Sequence, residues 1–445
     1  MKLQDIHTIY FLGIGGIGMS AIARYFRLLG CQVAGYDRTE TGVTRALEAE
    51  GIAVYYQADP AHVAGADLMV YTPAIGQEHP EYQAALAAGI PILKRSQILG
   101  TISAGSRTLA VAGTHGKTTT TTMLTHLLRE AGSGCTAFLG GISNNLQSNF
   151  CFADNDLVVA EADEYDRSFL TLHPDMAVIT AMDPDHLEIY GDAAEMERTF
   201  RQFAGQTRRL LVQADLPQTG WADGTATYGL ETGDWQARNL QFGHLRTTFD
   251  LTGPGISLPG LVLHMPGRHN VLNMTAALAV ALHYGADPAR IPAAVASFTG
   301  IYRRFEVLVD SPALTYVDDY AHHPAEIAAA LLTARDLFPD RRLVVVFQPH
   351  LYTRTRDLCA GFATELSRAD AVLLMDIYPA REEPIPGVTS RMILDAMTLA
   401  DRQLVTRQDL LTTLTAVIEG PTVVLTLGAG DIDRESERIA LCFRS

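Results

Sequence analysis

Val111-Ala-Gly-Thr-His-Gly-Lys117, continuing as a run of threonines to Thr122, is the stretch on which the fold turns. Leu109, Ala110 and Val111 read as the end of a strand, and Met123, Leu124, Leu127 and Leu128 recur at helical spacing beyond the threonines. The spacing predicts a strand, a Gly-rich turn and a helix in succession. Backbone N–H groups of Gly113, Thr114, His115, Gly116, Lys117, Thr118 and Thr119 would face an oligophosphate at the positive end of that helix. Lys117 adds a point charge, and the Thr118 hydroxyl can ligate Mg²⁺. The motif is a short one, G-x-x-G-K-T, because position 111 is Val. Gly-rich turns before helices also occur without a ligand, but Lys followed by Thr at this place points to ATP or GTP.

A chain of 445 residues is too long for one core and suggests two to three domains, and 47% hydrophobic residues with alternating strand and helix patterns indicate α/β. The stretch from Thr8 to Ala23 is uncharged, but Gly13, Gly15, Gly16 and Gly18 punctuate it where a secretory segment needs an unbroken apolar run. A cytoplasmic protein is expected. Cys31, Cys135, Cys151, Cys359 and Cys442 are odd in number and widely spaced, with no C-x-x-C pair, which fits reduced, buried thiols. A formal charge of −16 argues against nucleic acid or an anionic membrane as partner. Anionic substrates must then be held by local basic groups, helix N-termini and metal.

A second phosphate signature stands near the start. Thr8 to Leu12 is a short strand, and Gly13-Ile-Gly-Gly-Ile17-Gly18 turns into a helix carrying Met19, Ile22, Ala23 and Phe26. Gly13, Gly15 and Gly18 satisfy G-x-G-x-x-G, and Asp37 closes a second strand, Gln32 to Tyr36, where a ribose-binding acid is expected. Alone, this pattern suits a nicotinamide-dependent dehydrogenase; beside the loop at 113, it says that one chain holds two phosphorylated ligands. A strand from Asp67 to Tyr71, a turn with Thr72 and Pro73, a helix from Pro80 to Ala88 and a strand near Pro91 to Leu93 complete a small α/β domain. It ends in Gly100 to Ser106, which has linker composition.

Asp156 to Ala160 reads as a buried strand that delivers Glu161, the first choice for a Mg²⁺ ligand, to the carboxyl edge beside the phosphate loop. Asp163, Glu164 and Asp166 read as a solvated acidic turn, with metal ligation as the alternative. Met176 to Ala181 delivers His186, either an ordinary loop histidine or a ligand. Asn270 and Asn273, at i and i+3 before an Ala-rich helix from Met274 to His283, can cap that helix or read a purine edge. Thr299 to Phe305 looks like a hinge, with Arg303 and Arg304 as candidate phosphate contacts. From Ala313 onward, strands at Leu314 to Val317, Leu343 to Phe347, Ala371 to Met375 and Thr422 to Leu427 each end in polar residues, including Asp318, Asp319, Tyr320, His322, His323, Gln348, His350, Arg354, Asp376 and Asp431. Ligands of open α/β sheets bind at that edge.

These motifs together, Gly13 to Ser20, Gly113 to Thr121, Glu161-Ala-Asp-Glu164, Asp183-Pro-Asp-His186, Gly267-Arg-His-Asn270, Asp318 to Pro324, Gln348-Pro-His350 with Tyr352 to Arg356, and Gly428-Ala-Gly-Asp431, closely resemble the Mur ligases of peptidoglycan synthesis. The resemblance runs from residue 8 to about 433. It implies three domains: residues 1–103 Rossmann-like and holding a UDP-sugar, 104–306 a P-loop ATPase-like centre, and 307–445 a Rossmann-like amino-acid-binding domain. It implies ATP- and Mg²⁺-dependent ligation of L-alanine to the lactyl carboxylate of UDP-N-acetylmuramic acid through an acyl phosphate. It places Lys117, Glu161 and His186 in catalysis, with Thr118, Glu161 and His186 on metal. Asn270, Asn273, Arg304 and Asp319 fall on the ATP side, Gly13, Gly15, Gly16, Ile17, Gly18, Asp37, Thr72 and Pro73 on the UDP-sugar, and Tyr320, His322, His350 and Arg354 on L-alanine. Leu351 replaces the Arg that many members carry after Pro-His, which shifts carboxylate recognition toward Arg354. Tyr36 replaces a small polar residue on the uridine side. Sibling ligases that add later residues use a carbamylated lysine in the middle domain, whereas this chain has no lysine after Lys117. A monomer or weak homodimer is expected.

Overall fold

The computed structural model describes residues 3–183, 187–380 and 382–444. They form two compact units, Met1–Asn239 with Phe249–Leu261 and Leu272–Phe298, and Leu240–Thr248 with Val262–Val271 and Thr299–Ser445.

The first unit carries a five-stranded sheet in the order Ala53–Tyr55, Gln32–Tyr36, Thr8–Leu12, Leu68–Tyr71, Ile92–Lys94, parallel throughout. Its central strand has a run of buried apolar residues on both faces, as a parallel sheet covered by helices requires. The chain leaves this strand between two neighbours, Leu12 lying opposite Tyr36 on one side and Tyr71 on the other, so the glycine loop sits at a topological switch point.

A ten-stranded sheet repeats the logic. Arg107–Ala112 lies between Met176–Ile179 and Leu157–Ala162, all parallel, so the loop at Gly113 emerges at a second switch point. Arg209–Gln213, Ala226–Leu230, Trp235–Gly243, Arg246–Gly253 and Ile256–Leu263 extend one side, and Thr136–Ser143 with antiparallel Ser148–Cys151 extends the other. In the second unit a six-stranded sheet runs Glu306–Asp310, Leu314–Asp319, Thr422–Leu427, Arg342–Phe347, Ala371–Leu374, Arg402–Leu404, with only the first pair antiparallel among those described.

Three expectations change. Residues 100–104 are the end of a helix, Arg95–Ala104, and not a linker. Gly100 is small because a Cβ there would stand 2.4 Å from the Thr171 carbonyl oxygen, so what reads as linker composition is close packing of a helix on the turn beyond Glu161. The Ala-rich helix begins at Arg268 and already contains both asparagines. All five cysteines are free, but only Cys31, Cys135 and Cys151 are buried; Cys359 is half-buried and Cys442 exposed.

Candidate active site

The loop after Arg107–Ala112 is shaped by two glycines that no side chain could replace. Gly113 has φ +142°, and a Cβ on it would lie 2.1 Å from the Thr180 hydroxyl; Gly116 has φ +79° and sits against the Asn273 amide oxygen. Thr180 donates to the Ala112 and His115 carbonyls, and Thr114 accepts the Asp183 N–H at 3.0 Å, so both flanks of the loop are fixed. The helix Lys117–Ala131 then starts at Gly116 with its first turn open toward the loop. Thr118 and Thr119 are buried in that turn.

Lys117 donates to the Gly113 carbonyl at 2.7 Å and to Glu164 at 2.9 Å. Burial acts to lower the Lys117 ammonium, but Glu164, Glu161 and Asp163 outweigh it and hold the group above the ordinary lysine value. Glu164 is 1% exposed, so the solvated acidic turn expected at 163–166 is overturned at this residue: the carboxylate points inward because it has a buried cation to neutralise. Asp163 and Asp166 lie at the surface, yet each is paired, with Arg95 at 3.0 Å and Lys94 at 3.2 Å. On the other side of the loop Thr118 Oγ1 donates to Glu161 Oε2 at 2.8 Å. Register places Glu161 opposite Val111 on the adjoining strand, which is why the two meet. Gly140 makes room for this carboxylate, since a Cβ there would stand 2.0 Å from Glu161 Oε2. A hydroxyl beside a carboxylate is a hard-oxygen donor set, and it suits Mg²⁺. His186 lies outside the described residues.

The two asparagines on helix Arg268–His283 have different surroundings. Asn270 is buried and donates to the Pro266 carbonyl at 2.6 Å, which ties its side chain to the segment before its own helix, whereas Asn273 accepts from Thr120 beneath the phosphate loop at 3.3 Å.

In the first sheet, Gly13 has φ +89° and lies against Thr72, which with Pro73 forms the turn at the same edge. Asp37 Oδ2 accepts the Gly15 N–H at 2.8 Å, so this acid braces the glycine loop from within. Gly16 accompanies Gly13 in a tight turn and caps helix Ile17–Leu28. A Cβ on Gly18 would stand 2.5 Å from an Arg95 guanidinium nitrogen, and that same guanidinium holds Asp163. The turn after Glu161 is thereby tied to both phosphate loops, a connection with no local signal in the chain.

In the second unit the strand Leu314–Asp319 runs two residues past the expected Val317, so Asp318 and Asp319 belong to the sheet. Arg303 is inside: it pairs with Asp318 at 2.8 Å and donates to the Gly428 carbonyl at 2.6 Å, which leaves Arg304 as the available hinge cation. Asp319 accepts the N–H groups of Phe305 and Ala321 at 2.6 and 2.7 Å, one on each oxygen, and burial raises its carboxyl to about 6 against the pull of Arg304. Arg304 lies over the Tyr320 ring, 5.1 Å from its centroid. His322 Nδ1 stands 3.0 Å from the Tyr320 carbonyl oxygen, which can only accept, so Nδ1 carries the proton. Burial lowers His322 to about 4 despite Glu326, leaving a neutral ring with its Nε2 lone pair available. The rings of His322 and His350 are 6.2 Å apart, and Arg354, on helix Tyr352–Asp357, is near enough to act on His322. Arg304, Asp319, Tyr320, His322, His350 and Arg354 thus gather at one sheet edge. Glu326, which accepts the His322 N–H at 3.0 Å and faces Arg304 at 3.7 Å, joins them; the i+4 spacing from His322 on a helix start was the available signal.

Comparison with known proteins places each sheet in a named domain. Residues 8–107 match the Mur ligase family catalytic domain, 111–281 the Mur ligase middle domain, and 303–430 the Mur ligase glutamate ligase domain. The chain is 44% identical over 447 residues to the UDP-N-acetylmuramate–L-alanine ligase of Christiangramia forsetii, covering 98% of each. It is 46% identical over 441 residues to that of Porphyromonas gingivalis, covering 96% of each. Among solved structures it is similar to the UDP-N-acetylmuramate-alanine ligase of Thermotoga maritima, at 31% identity and a TM-score of 0.83 over 98% of this chain and 99% of that one.

Proposed function

The chain belongs to the Mur ligase family, and we propose that it joins L-alanine to the lactyl carboxylate of UDP-N-acetylmuramic acid at the cost of ATP, in peptidoglycan synthesis. The observation that carries this reading is the pairing of two oxygen donors, Thr118 and Glu161, with a buried cation, Lys117, around one glycine loop. The lactyl carboxylate takes the γ-phosphoryl group of ATP, giving an acyl phosphate and ADP. The alanine amine then attacks the acyl carbon, and phosphate leaves. A carboxylate is a poor electrophile at neutral pH, so the protein's contribution is positioning and charge neutralisation.

In this reading Gly113 to Thr119 cradle the β- and γ-phosphates, with Lys117 supplying the point charge. Thr118, Glu161 and His186 would hold a magnesium ion, which would supply further neutralisation of phosphate charge. Asn270, Asn273, Arg304 and Asp319 serve the adenosine and phosphate side. Each Asp319 oxygen keeps a second acceptor site beyond the backbone bond it already makes. Gly13 to Gly18, Asp37, Thr72 and Pro73 take the UDP-sugar, with Asp37 acting through the Gly15 amide as well as toward ligand. Tyr320, His322, His350 and Arg354 form the alanine pocket, where Arg354 pairs with the carboxylate and the free Nε2 of His322 accepts from the amine. Boundaries near 103 and 306 separate three domains with these duties, and the work is done in the cytoplasm by a monomer or weak homodimer.

The test is release of inorganic phosphate from ATP. It is expected only when UDP-N-acetylmuramate, L-alanine and Mg²⁺ are all present. Release without the sugar nucleotide, or saturable NADH binding at micromolar levels in its place, would remove the ligase reading.

A further inference from the structure

Glu164 is among the most deeply buried carboxylates of the chain, and it lies beside the lysine that faces the phosphate loop. Its place is not accidental to one flexible side chain. The Glu164 carbonyl accepts the Tyr190 hydroxyl at 2.6 Å and the Arg167 N–H at 2.9 Å. The chain then turns sharply through Asp166 and Arg167, both with left-handed φ of +53° and +54°. Non-glycine residues hold that conformation only when the surroundings impose it. The neighbours of Glu164 impose it: Asp163 is pinned by Arg95, Asp166 by Lys94, and Arg167 by Glu195 at 2.9 Å. A turn clamped at every side delivers one carboxylate inward.

An ammonium has three N–H donors. In Lys117 one goes to the Gly113 carbonyl and one to Glu164, which leaves a single donor toward the space in front of the loop. A four-carbon side chain otherwise samples many rotamers, and its alignment with a transferring phosphoryl group would be lost to that freedom. We propose that Glu164 is a positioning residue for phosphoryl transfer: with Gly113 it locks Lys117 so that the remaining N–H meets the phosphate of the bound nucleotide. The assignment rests on the ATP reading above and deepens it.

The kinetic signature follows from two opposed effects. The carboxylate repels an anionic triphosphate, so neutralising it does not weaken nucleotide binding; what is lost is alignment, which acts on kcat. Glu164→Gln is therefore expected to lower kcat by roughly 10- to 100-fold while KM for ATP and for the sugar nucleotide stay within about threefold of wild type. Glu164→Asp, which keeps the charge on a shorter reach, should fall between. The measurement is steady-state phosphate release by the full chain with ATP varied at saturating co-substrates, beside a thermal unfolding curve for each variant.

A kcat for Glu164→Gln within about threefold of wild type would overturn the assignment. So would an equal rise in both KM values with a collapsed unfolding midpoint, which is the mark of a merely structural carboxylate. Should Glu164→Gln fail to fold, Glu164→Asp decides alone: wild-type turnover with the carboxylate drawn back from Lys117 refutes positioning. A wild-type chain that releases no phosphate would instead sink the ligase reading, an outcome distinct from these.

Discussion

Gly140→Ala is a one-carbon test of whether the Glu161 carboxylate must stand where it does. Gly140 lies in strand Thr136–Ser143, outside the positive-φ positions, so alanine introduces no backbone strain. Its Cβ would sit 2.0, 2.6 and 2.8 Å from Oε2, Cδ and Oε1 of Glu161, where ordinary contact begins at 3.4 Å. The obstructed atoms are the far end of a flexible side chain, so the carboxylate retreats by roughly 1 Å or more and the strand stays in place. Stability then changes little. The Thr118 hydrogen bond at 2.8 Å is lost, but Glu161 is only half-buried and water replaces the partner, so the net cost is about 1 kcal/mol. Chemistry feels the displacement far more, because a 1 Å misplacement at a reacting centre costs on the order of 10²-fold, or about 2.7 kcal/mol of barrier. Phosphate release at saturating ATP, sugar nucleotide and alanine, repeated across a magnesium titration, reads both kcat and the metal midpoint. The expected variant folds normally, turns over about 100-fold more slowly and needs more magnesium. Unchanged kcat with an unchanged metal midpoint would refute the placement of Glu161 at the metal.

Two further outcomes concern stability. Burial raises Asp319 to about 6 and lowers His269 and His322 to about 4, so the signs oppose. The Asp319 contribution is present below its unfolded value of 3.8 and is lost as pH rises through 6; the histidine contributions are present above 6.5 and are lost as pH falls through 4. Between roughly pH 4 and 6 these three groups together bind one proton more in the unfolded chain, and their contribution to stability rises by about 1.4 kcal/mol per pH unit. Asp319→Asn removes the opposing member, so unfolding free energy from urea curves should climb by about a further 1.4 kcal/mol per pH unit across that window; an unchanged slope contradicts the buried state of Asp319. Arg303→Met leaves Asp318, 1% exposed, without its cation and should cost about 3–5 kcal/mol in urea unfolding, largely recovered by adding Asp318→Asn. A cost below about 1 kcal/mol for the single variant would mean that the pair does not hold the hinge.

Much of this architecture is legible in the chain because parallel strands buried on both faces are written as continuous apolar runs, and Thr8–Leu12, Arg107–Ala112 and Thr422–Leu427 are such runs. The two glycine loops are equally plain, since their backbone angles admit little else. The strands between Arg209 and Leu263 are harder to read: along Trp235–Gly243 only Ala237 is buried, and the strand is held by pairing rather than by a core-facing pattern. Glu164 escaped for a different reason. Acidic residues in a row suggest a solvated turn, and nothing local distinguishes the one that meets a lysine 47 positions away. Arg303 and Arg304 make the same point, for two adjacent guanidinium groups of identical chemistry both lie against the Tyr320 ring, yet one is sealed onto Asp318 and the other faces Glu326.

The scarcity of primary amines has a chemical meaning of its own. The chain contains three lysines, Lys2, Lys94 and Lys117. Mixed anhydrides of carboxylic and phosphoric acid acylate whatever unprotonated amine they encounter, and a protein that makes one runs the risk of modifying itself. Lys94 is engaged with Asp166, and the nitrogen of Lys117 has its lone pair occupied by a proton that Glu164 and the Gly113 carbonyl retain. The acyl phosphate thus meets no unprotonated lysine in the loop that made it, and the incoming amino acid brings the primary amine that reaches the acyl carbon.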